Sequence, residues 1–280
     1  MNAIDWKEYE NIVLIECQRV FFNANIQYNI FVDGLFSKRK RQIDIFIKDK
    51  NGLVYIVDAK RYNTKVDVKD VESFIGMVKD VGGNYGIIVS EKGFTKAAIN
   101  RAHIGENNIE VDILNLNGLG MFQSKSAIPY VGNNGVVVNA PFGWVIDGTR
   151  RNGMAATLYQ RGFSLEEATV ENKEWAYINF WSKNDEINSL DALISFQNNY
   201  LMESDCNGSI EEKEEPDLRI RIFTSRYCPT REVTLYRDFP NFILFVVLFS
   251  PDNLISRNIS KMKYLLLNAL FLEINYEELS

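Results

Sequence analysis

Two charged residues follow an apolar segment in the first quarter of the chain, where the sequence reads VYIVDAKRY. The apolar run, residues 53–57, is typical of a strand that is covered on both faces. Asp58 and Lys60 come next, and residues two apart in a strand project from the same face. Charges at such a position lose hydration, which is costly unless they are paired or bound to a metal. The spacing therefore indicates either a salt-bridged strand end or part of a metal-dependent site.

A second acidic residue stands in a neighbouring apolar segment, RQIDIFI, where Asp44 lies among isoleucines. If the two segments form adjacent strands, Asp44 and Asp58 both occupy half-buried positions. Two such carboxylates repel one another unless one is protonated or a cation lies between them. Mg²⁺ prefers oxygen ligands and commonly takes one or two carboxylates. The pair is thus typical of a site for a hard divalent ion.

A third acid is expected from the helix that precedes these strands. Its apolar residues recur at three- and four-residue spacing, and Glu10 and Glu16 both intrude on that stripe. A glutamate on the inward face of a helix either points past the edge to solvent or reaches into a site. The sequence does not decide which of the two acids would do so. Lys60 completes the set, because an ammonium group positions water or stabilises charge that develops on a phosphorus centre.

The elements that must position these residues follow from hydrophobic periodicity and turn signals. The order α-β-β-β-α-β-α-β predicts an α/β layer with a hairpin at the front and a crossover between later strands. The predicted bounds are residues 6–21, 26–32, 42–47, 53–59, 67–81, 85–90, 94–102 and 109–114. The periodicity lapses around residues 124–139, so we predict two domains, residues 1–130 and residues 139–280.

Four motifs occur in order between residues 5 and 115: YENIVLIECQRVF, RQIDIFI, VYIVDAKRY and VDVKDVESFIGMVKDVGGNYGIIVSEKGFTKAAINRA. Together they resemble the PD-(D/E)xK nuclease superfamily, and in particular its Mrr-like restriction endonuclease branch. The resemblance implies a restriction-endonuclease-like mixed sheet flanked by helices, in the α/β class, followed here by a second α+β domain.

By this resemblance Asp44 and Asp58 are metal ligands and Lys60 is the catalytic lysine. Glu10 is implied as the helix acid and as a third metal ligand, with Mg²⁺ or Mn²⁺ as the cofactor. Cleavage in the manner of the superfamily leaves 5′-phosphate and 3′-hydroxyl ends. Two positions depart from the pattern. Ile43 stands where the superfamily commonly has proline, and Asp58 stands where the branch often has glutamine, a change that keeps a metal-binding carboxylate and favours activity.

Positive charge is concentrated in the loop that leads into the Asp44 segment. This loop contains Lys38, Arg39, Lys40 and Arg41, and Arg61 follows the lysine of the second motif. A run of charges of this kind is usually a solvated turn. Beside a nuclease site the same residues are well placed to contact phosphates, so we predict that they contact nucleic acid.

The composition excludes several classes of function. The chain has 280 residues, a net charge of −6 and a single histidine, His103. A Cys/His zinc site has too few ligands, and no nucleotide-hydrolysing loop is present. The three cysteines are widely spaced, and neither a signal peptide nor a membrane span is visible, so we expect a cytoplasmic protein that makes no use of a membrane.

The second half resembles no family that we recognise, and we expect it to provide target recognition or regulation. It is rich in aromatic residues, which are expected mainly in its core. The sequence predicts a buried strand at residues 242–249, a helix near residues 259–274 and an acidic loop at residues 211–217. This half is also the place where a regulatory ligand or a partner protein would bind.

These observations predict a Mg²⁺-dependent endonuclease that hydrolyses DNA, as a monomer or a homodimer, in restriction or phage defence. Two alternatives remain open at this stage. One is a catalytically inactive nucleic-acid-binding module of the same fold, against which the retained Asp44, Asp58 and Lys60 argue. The other is a member that cleaves RNA.

Overall fold

The structure is a computed structural model, and it describes residues 6–21, 24–50, 52–103, 109–113, 123–141, 143–160 and 163–274. The chain divides into two compact units, Met1–Leu119 and Gly120–Ser280. No helix within the described ranges is long and apolar enough to cross a membrane.

The first unit contains the predicted elements in the predicted order, which confirms the α/β assignment. They are α1 (Trp6–Val20), β1 (Asn25–Asp33), β2 (Lys40–Lys48), β3 (Val54–Lys60), α2 (Val68–Asp80), β4 (Tyr85–Ser90), α3 (Lys96–His103) and β5 (Ile109–Ile113). The helix α2 begins where expected because Asp67 caps it: the Asp67 side chain accepts hydrogen bonds from the amides of Lys69 and Asp70.

The sheet of this unit is mixed, with the strand order β1-β2-β3-β4-β5. The first three strands are antiparallel, and β3, β4 and β5 are parallel, because α2 and α3 carry the chain back between them. On the antiparallel side Ile45 pairs with Val57. One step further along the same register, Asp44 of β2 comes opposite Asp58 of β3.

The core beneath α2 is built from the apolar residues that the periodicity selects. Val71, Phe74 and Val78 of α2 are buried against Ile56 of β3 and Ile88 of β4 in one cluster. Burial of such side chains contributes roughly 1.5–3 kcal/mol each. The rigid sheet and helix that result hold the ends of β2 and β3 in place.

The second unit is rich in β structure. Its elements are β6 (Gln123–Ser124), β7 (Ser126–Ala127), β8 (Tyr130–Val131), β9 (Asn134–Asn139), β10 (Trp144–Asp147), β11 (Ala156–Gln160), a π-helix (Glu167–Asn172), β12 (Trp175–Ser182), α4 (Leu190–Ser204), β13 (Ser209–Glu215), β14 (Leu218–Thr224), β15 (Arg231–Asp238), β16 (Phe242–Ser250), α5 (Ile255–Leu267) and β17 (Leu270–Glu273). The larger sheet has the order β13-β14-β15-β16-β12-β11-β10-β6, and a smaller sheet has the order β17-β9-β7, with β8 paired to β9.

The predicted buried strand is confirmed as β16, which lies between β15 and β12 in the larger sheet. The aromatic residues of this half are largely packed, as expected. Trp144 is 1% exposed, and the half-buried rings of Trp175 and Phe249 stack with their centroids 4.8 Å apart.

Two predictions for the second unit are wrong. The last helix begins earlier and ends at Leu267, and residues 270–273 form β17, because that segment pairs with β9 instead of continuing the helical stripe. The acidic segment is not a loop: Glu211–Glu215 lies in β13, at the edge of the larger sheet, paired with β14. Charged side chains suit an edge strand because they stay hydrated and block pairing with another chain.

Candidate active site

Asp44, Asp58 and Lys60 come together at adjoining positions of β2 and β3. The Asp44 Oδ2 atom accepts a hydrogen bond from the Ala59 amide at 2.9 Å. The Lys60 Nζ atom lies 2.8 Å from Asp58 Oδ2, and the two side chains are 24% and 13% exposed. The carboxyl groups of Asp44 and Asp58 are close enough to influence each other's protonation. The structure therefore joins the three residues in one half-buried polar cluster.

The electrostatics of the cluster follow from its burial. Burial raises the pKa of Asp58 to about 6; the Lys60 charge opposes this rise, and the Asp44 charge adds to it. Burial likewise raises the pKa of Asp44, against the hydrogen bond from Ala59. Burial alone would lower the pKa of Lys60, but the charge and hydrogen bond of Asp58 outweigh it and raise that pKa. The two acids therefore favour a shared proton, whereas the lysine stays an ammonium.

The two acids of α1 have different surroundings. The Glu10 carboxylate accepts a hydrogen bond from the Tyr28 hydroxyl at 2.8 Å, and its charge contributes to the raised pKa of Asp44. Glu16 is 1% exposed and forms an ion pair with Arg19 at 2.8 Å. Among the described residues no group of three or more Asp, Glu, His or Cys side chains is arranged to hold a metal ion. Of the two acids, Glu10 is the one whose charge acts on Asp44.

An irregularity in the neighbouring strand accompanies Asp44. The β1–β2 ladder pairs Tyr28 with Ile45 and Ile30 with Ile43, but Asn29, opposite Asp44, makes no pair. Asn29 has φ 50°, a left-handed conformation that few residues other than glycine and asparagine adopt readily. Its side chain instead accepts a hydrogen bond from Gln42 at 2.9 Å. An asparagine in the middle of the predicted strand 26–32 was the sequence signal for this break, and the prediction of a regular strand missed it.

The residues present fit a hard divalent ion. Asp44 and Asp58 offer carboxylate oxygens on neighbouring strands, and burial raises the pKa of both although the Lys60 charge opposes the rise. A cation between two such carboxylates would replace the shared proton. The ligand set is the one that Mg²⁺ or Mn²⁺ prefers.

The basic loop between β1 and β2 is held by Asp80, the last residue of α2. The Asp80 carboxylate accepts hydrogen bonds from the amides of Phe36 and Ser37, at 3.0 and 2.9 Å, and from the Ser37 hydroxyl at 2.6 Å. It also pairs with Arg41 Nε at 2.7 Å. Arg41 is therefore an anchor of the loop, a role that its position in a charge run did not reveal.

The other predicted cations differ in their freedom. The side chains of Lys38, Arg39 and Lys40 are exposed and form no ion pair with any residue that the structure describes. Arg61 lies near Glu91, with Nε 3.5 Å from Oε2. The exposed loop cations are thus available to a ligand, whereas Arg41 and Arg61 already face an acidic group.

Comparison with known proteins assigns the first unit to a class. Residues 1–119 match a protein family (Mrr_cat) that is described as a restriction endonuclease. The resemblance seen in the sequence motifs is therefore confirmed for this unit. A search of curated proteins gives no match.

Solved structures give weaker likenesses. A repair endonuclease from Pyrococcus abyssi has 18% identity and a TM-score of 0.30, covering 41% of this chain and 49% of that one. EndoMS in a complex with double-stranded DNA has 15% identity and a TM-score of 0.27, covering 40% and 49%. The cyanobacterial PsbP protein of Synechocystis sp. PCC 6803 has 9% identity and a TM-score of 0.34, covering 55% and 98%. The chain thus spans about half the length of both endonucleases.

Proposed function

We propose that the protein is a Mg²⁺-dependent endonuclease that hydrolyses DNA phosphodiester bonds in restriction or phage defence. The observation that carries this proposal is the proximity of Asp44, in the middle of β2, to Asp58 and Lys60 at the end of β3, within a unit that matches restriction endonucleases. A purely structural salt bridge needs one acid for one lysine. The second buried acid is the feature that a metal site accounts for.

Asp44 and Asp58 would hold the divalent ion, with the charge of Glu10 supporting it from α1. When bound, the ion supplies Lewis-acid activation of water and neutralises charge on the phosphoryl oxygens. Asp44 is oriented for this task by the Ala59 amide, which donates to its Oδ2 atom at 2.9 Å. The half-buried position of both acids limits competition by solvent.

Lys60 would act as a fixed positive charge. Its pKa is raised by Asp58, so it keeps its proton at neutral pH and cannot serve as a general base. The 2.8 Å contact with Asp58 leaves other ammonium protons for a phosphate oxygen. Lys60 therefore stabilises the negative charge that develops at phosphorus.

The test is to incubate the purified chain with plasmid DNA, methylated and unmethylated, and with RNA. Mg²⁺ or Mn²⁺ should support cutting of DNA, whereas Ca²⁺ should bind without turnover. Robust cleavage in excess EDTA would exclude a metal-dependent mechanism. Binding of DNA without cleavage under any metal would identify an inactive nucleic-acid-binding module, and preferential cutting of RNA would identify a ribonuclease.

The second unit, residues 120–280, would select the target or regulate cleavage. The net charge of −6 disfavours indiscriminate binding of DNA, so selectivity needs a dedicated surface. Dependence of cleavage on methylation in the plasmid assay would support a role in restriction.

A further inference from the structure

The loop between β1 and β2 presents apolar side chains to solvent at its tip. Phe36 is 78% exposed and Leu35 is 55% exposed. Lys38, Arg39 and Lys40 follow directly and are exposed as well. An exposed aromatic ring does not contribute the free energy of folding that burial of its apolar surface would provide. Its position next to a run of cations indicates a surface built for a ligand that is both negatively charged and able to cover an aromatic ring.

The exposure of Phe36 does not come from a loosely held loop. Its own amide donates to Asp80 Oδ1 at 3.0 Å, and the Leu35 amide donates to the Asp80 carbonyl oxygen at 2.6 Å. The loop is also closed on itself, since the Gly34 amide donates to the Arg39 carbonyl at 2.8 Å. The backbone that carries the ring is therefore fixed to the end of α2, and the ring is aimed before any partner arrives. Such preorganisation lowers the entropic cost of binding.

Space remains open on the helix side of the ring. Phe36 lines an open cleft of about 350 Å³ together with Ser37, Arg41, Gly76 and Met77. Within the described residues, the ring therefore has no packing partner that fills this side. Single exposed apolar residues are common on protein surfaces, but this ring is held on a fixed backbone, beside an open cleft and next to a run of cations.

We propose that Phe36 is a wedge that enters a base-pair step of duplex DNA while Lys38, Arg39 and Lys40 contact the flanking phosphates. This inference rests on the proposed function, and it names a residue that positions the substrate. Apolar side chains inserted between base pairs unstack a step and fix the protein on the duplex. DNA supplies both features that the loop matches, a polyanionic backbone and flat apolar bases.

The loop leads directly into β2, the strand that carries Asp44. Lys40 and Asp44 are four residues apart in β2, a separation of roughly 13 Å at about 3.3 Å per strand residue. One base pair rises by about 3.4 Å, so a duplex that ran along β2 would meet the loop roughly four base pairs from the bond to be cut. Insertion at that distance would set the register of the DNA relative to Asp44 and Asp58.

The experiment uses the full-length chain carrying Lys60→Ala, so that the duplex stays intact, and short duplexes with 2-aminopurine placed at successive positions. In this background, binding should increase the fluorescence at one step, because unstacking relieves quenching. Phe36→Ala should abolish the increase and weaken binding by about tenfold or more, whereas Phe36→Trp should retain both. Tyr200→Ala, which removes another exposed ring, should change neither.

The salt dependence of binding separates the ring from the charges. Phe36→Ala removes no cation, so the slope of log K against log [salt] should stay the same. Replacing Lys38, Arg39 and Lys40 by alanine should reduce that slope by about 0.9 for each phosphate that the loop no longer neutralises. If Phe36→Ala leaves both the affinity and the fluorescence unchanged, the wedge is refuted. If Phe36→Ala changes only the mass measured by sedimentation, the wedge is also refuted, and Phe36 lies at an interface between copies of the chain. If the Lys60→Ala chain binds no duplex at all, the proposed function itself fails, and the wedge fails with it.

Discussion

Asp58 pairs with Lys60 and interacts with the neighbouring Asp44, and burial raises its pKa to about 6. A carboxyl group whose pKa is higher in the folded than in the unfolded state favours folding only while it is protonated. Without a metal, the folded protein therefore loses stability as the pH rises from about 4 through about 6. A divalent ion would reverse this, because it replaces the proton.

We predict that Mg²⁺ raises the melting temperature of the protein little at pH 5 and clearly above pH 6. At pH 5 a proton still occupies the pair that the ion needs, and above pH 6 it leaves. Melting curves with and without Mg²⁺ between pH 5 and pH 8 measure this gain. Asp58→Asn should abolish it and should raise the melting temperature of the metal-free protein above pH 6. A gain that does not depend on pH would contradict the assignment of Asp58 as a ligand.

Lys60→Ala and Asp58→Ala should each lower the rate of cleavage by at least about 100-fold, while leaving the fold intact. Each removes a charge from a half-buried position without opening a cavity in the core. Initial rates on plasmid DNA measure the loss, and circular dichroism measures the fold. Lys65→Ala is the matched control, because Lys65 is exposed and lies five residues further along. Normal cleavage by Asp58→Ala would show that the site lies elsewhere.

At the scale of elements, Asp80 connects the loop between β1 and β2 to the end of α2. Its carboxylate accepts from Ser37 and pairs with Arg41, and these contacts hold the pKa of Asp80 well below its usual range. An acid with a lowered pKa stabilises the fold above the pKa of its unfolded state, near 4. That contribution is lost as the pH falls through the lower pKa of the folded state.

Asp80→Asn should therefore lower the melting temperature at pH 7, and the difference from the unsubstituted protein should shrink below about pH 4. The amide cannot accept the same set of hydrogen bonds or pair with Arg41. Melting curves between pH 2 and pH 7 check the sign, and hydrogen exchange at the Phe36 and Ser37 amides checks the location. Unchanged protection of these two amides would contradict the role of Asp80 as the anchor.

The helix α2 contains a glycine that its packing does not require. A Cβ atom added at Gly76 would meet no atom within 4 Å, whereas one added at Gly83, just after the helix, would lie 2.9 Å from side-chain atoms of Ile56 and Val78. Gly76→Ala should stabilise the protein by about 0.5–1 kcal/mol, because it removes the entropic cost of a helical glycine. Gly83→Ala should destabilise it by about 1–3 kcal/mol through overpacking. Urea unfolding of both variants measures the free energies, and destabilisation by Gly76→Ala would reveal a steric conflict that this geometry lacks.

At the scale of the whole molecule, the candidate catalytic residues all lie in one of the two compact units. Residues 1–119 contain the acids, the lysine and the basic loop, and residues 120–280 form a separate β-rich body. The larger sheet of that body ends at β13, whose Glu211, Glu212 and Glu214 are exposed. The excess of acidic side chains makes this edge unfavourable for contact with DNA.

Residues 1–119 alone should keep the stabilisation by Mg²⁺ and lose target preference or regulation. In contrast, Lys60→Ala in the full chain should keep recognition and lose cutting. The comparison needs cleavage of methylated and unmethylated plasmids, after circular dichroism shows that the shorter chain is folded. A folded first unit with unaltered preference would leave the second unit as a structural or oligomerisation element.

The sequence by itself determined the order of elements in the first unit and the pairing of its two acidic motifs. Both follow from local physics. Apolar residues that recur every two residues in a strand, or every 3.6 residues in a helix, show which face is buried. A charge at the end of an apolar strand loses hydration wherever that strand packs, which costs free energy. For this reason the sequence could predict, before the fold was known, that Asp44, Asp58 and Lys60 lie on neighbouring strands.

Other features depended on contacts between residues distant in the sequence, and only the tertiary structure decided them. Arg41 reads as one of four equivalent cations until Asp80, 39 positions away, is found beside it. Glu10 and Glu16 look alike in the sequence and differ only in their partners, because Tyr28 donates to Glu10 whereas Arg19 pairs with Glu16. The apolar pattern of residues 259–274 predicted one continuous helix. Residues 270–273 instead form a strand because they pair with β9. A local pattern records how a residue is buried, but the partner that satisfies its charge or its backbone is fixed only when the whole chain has folded.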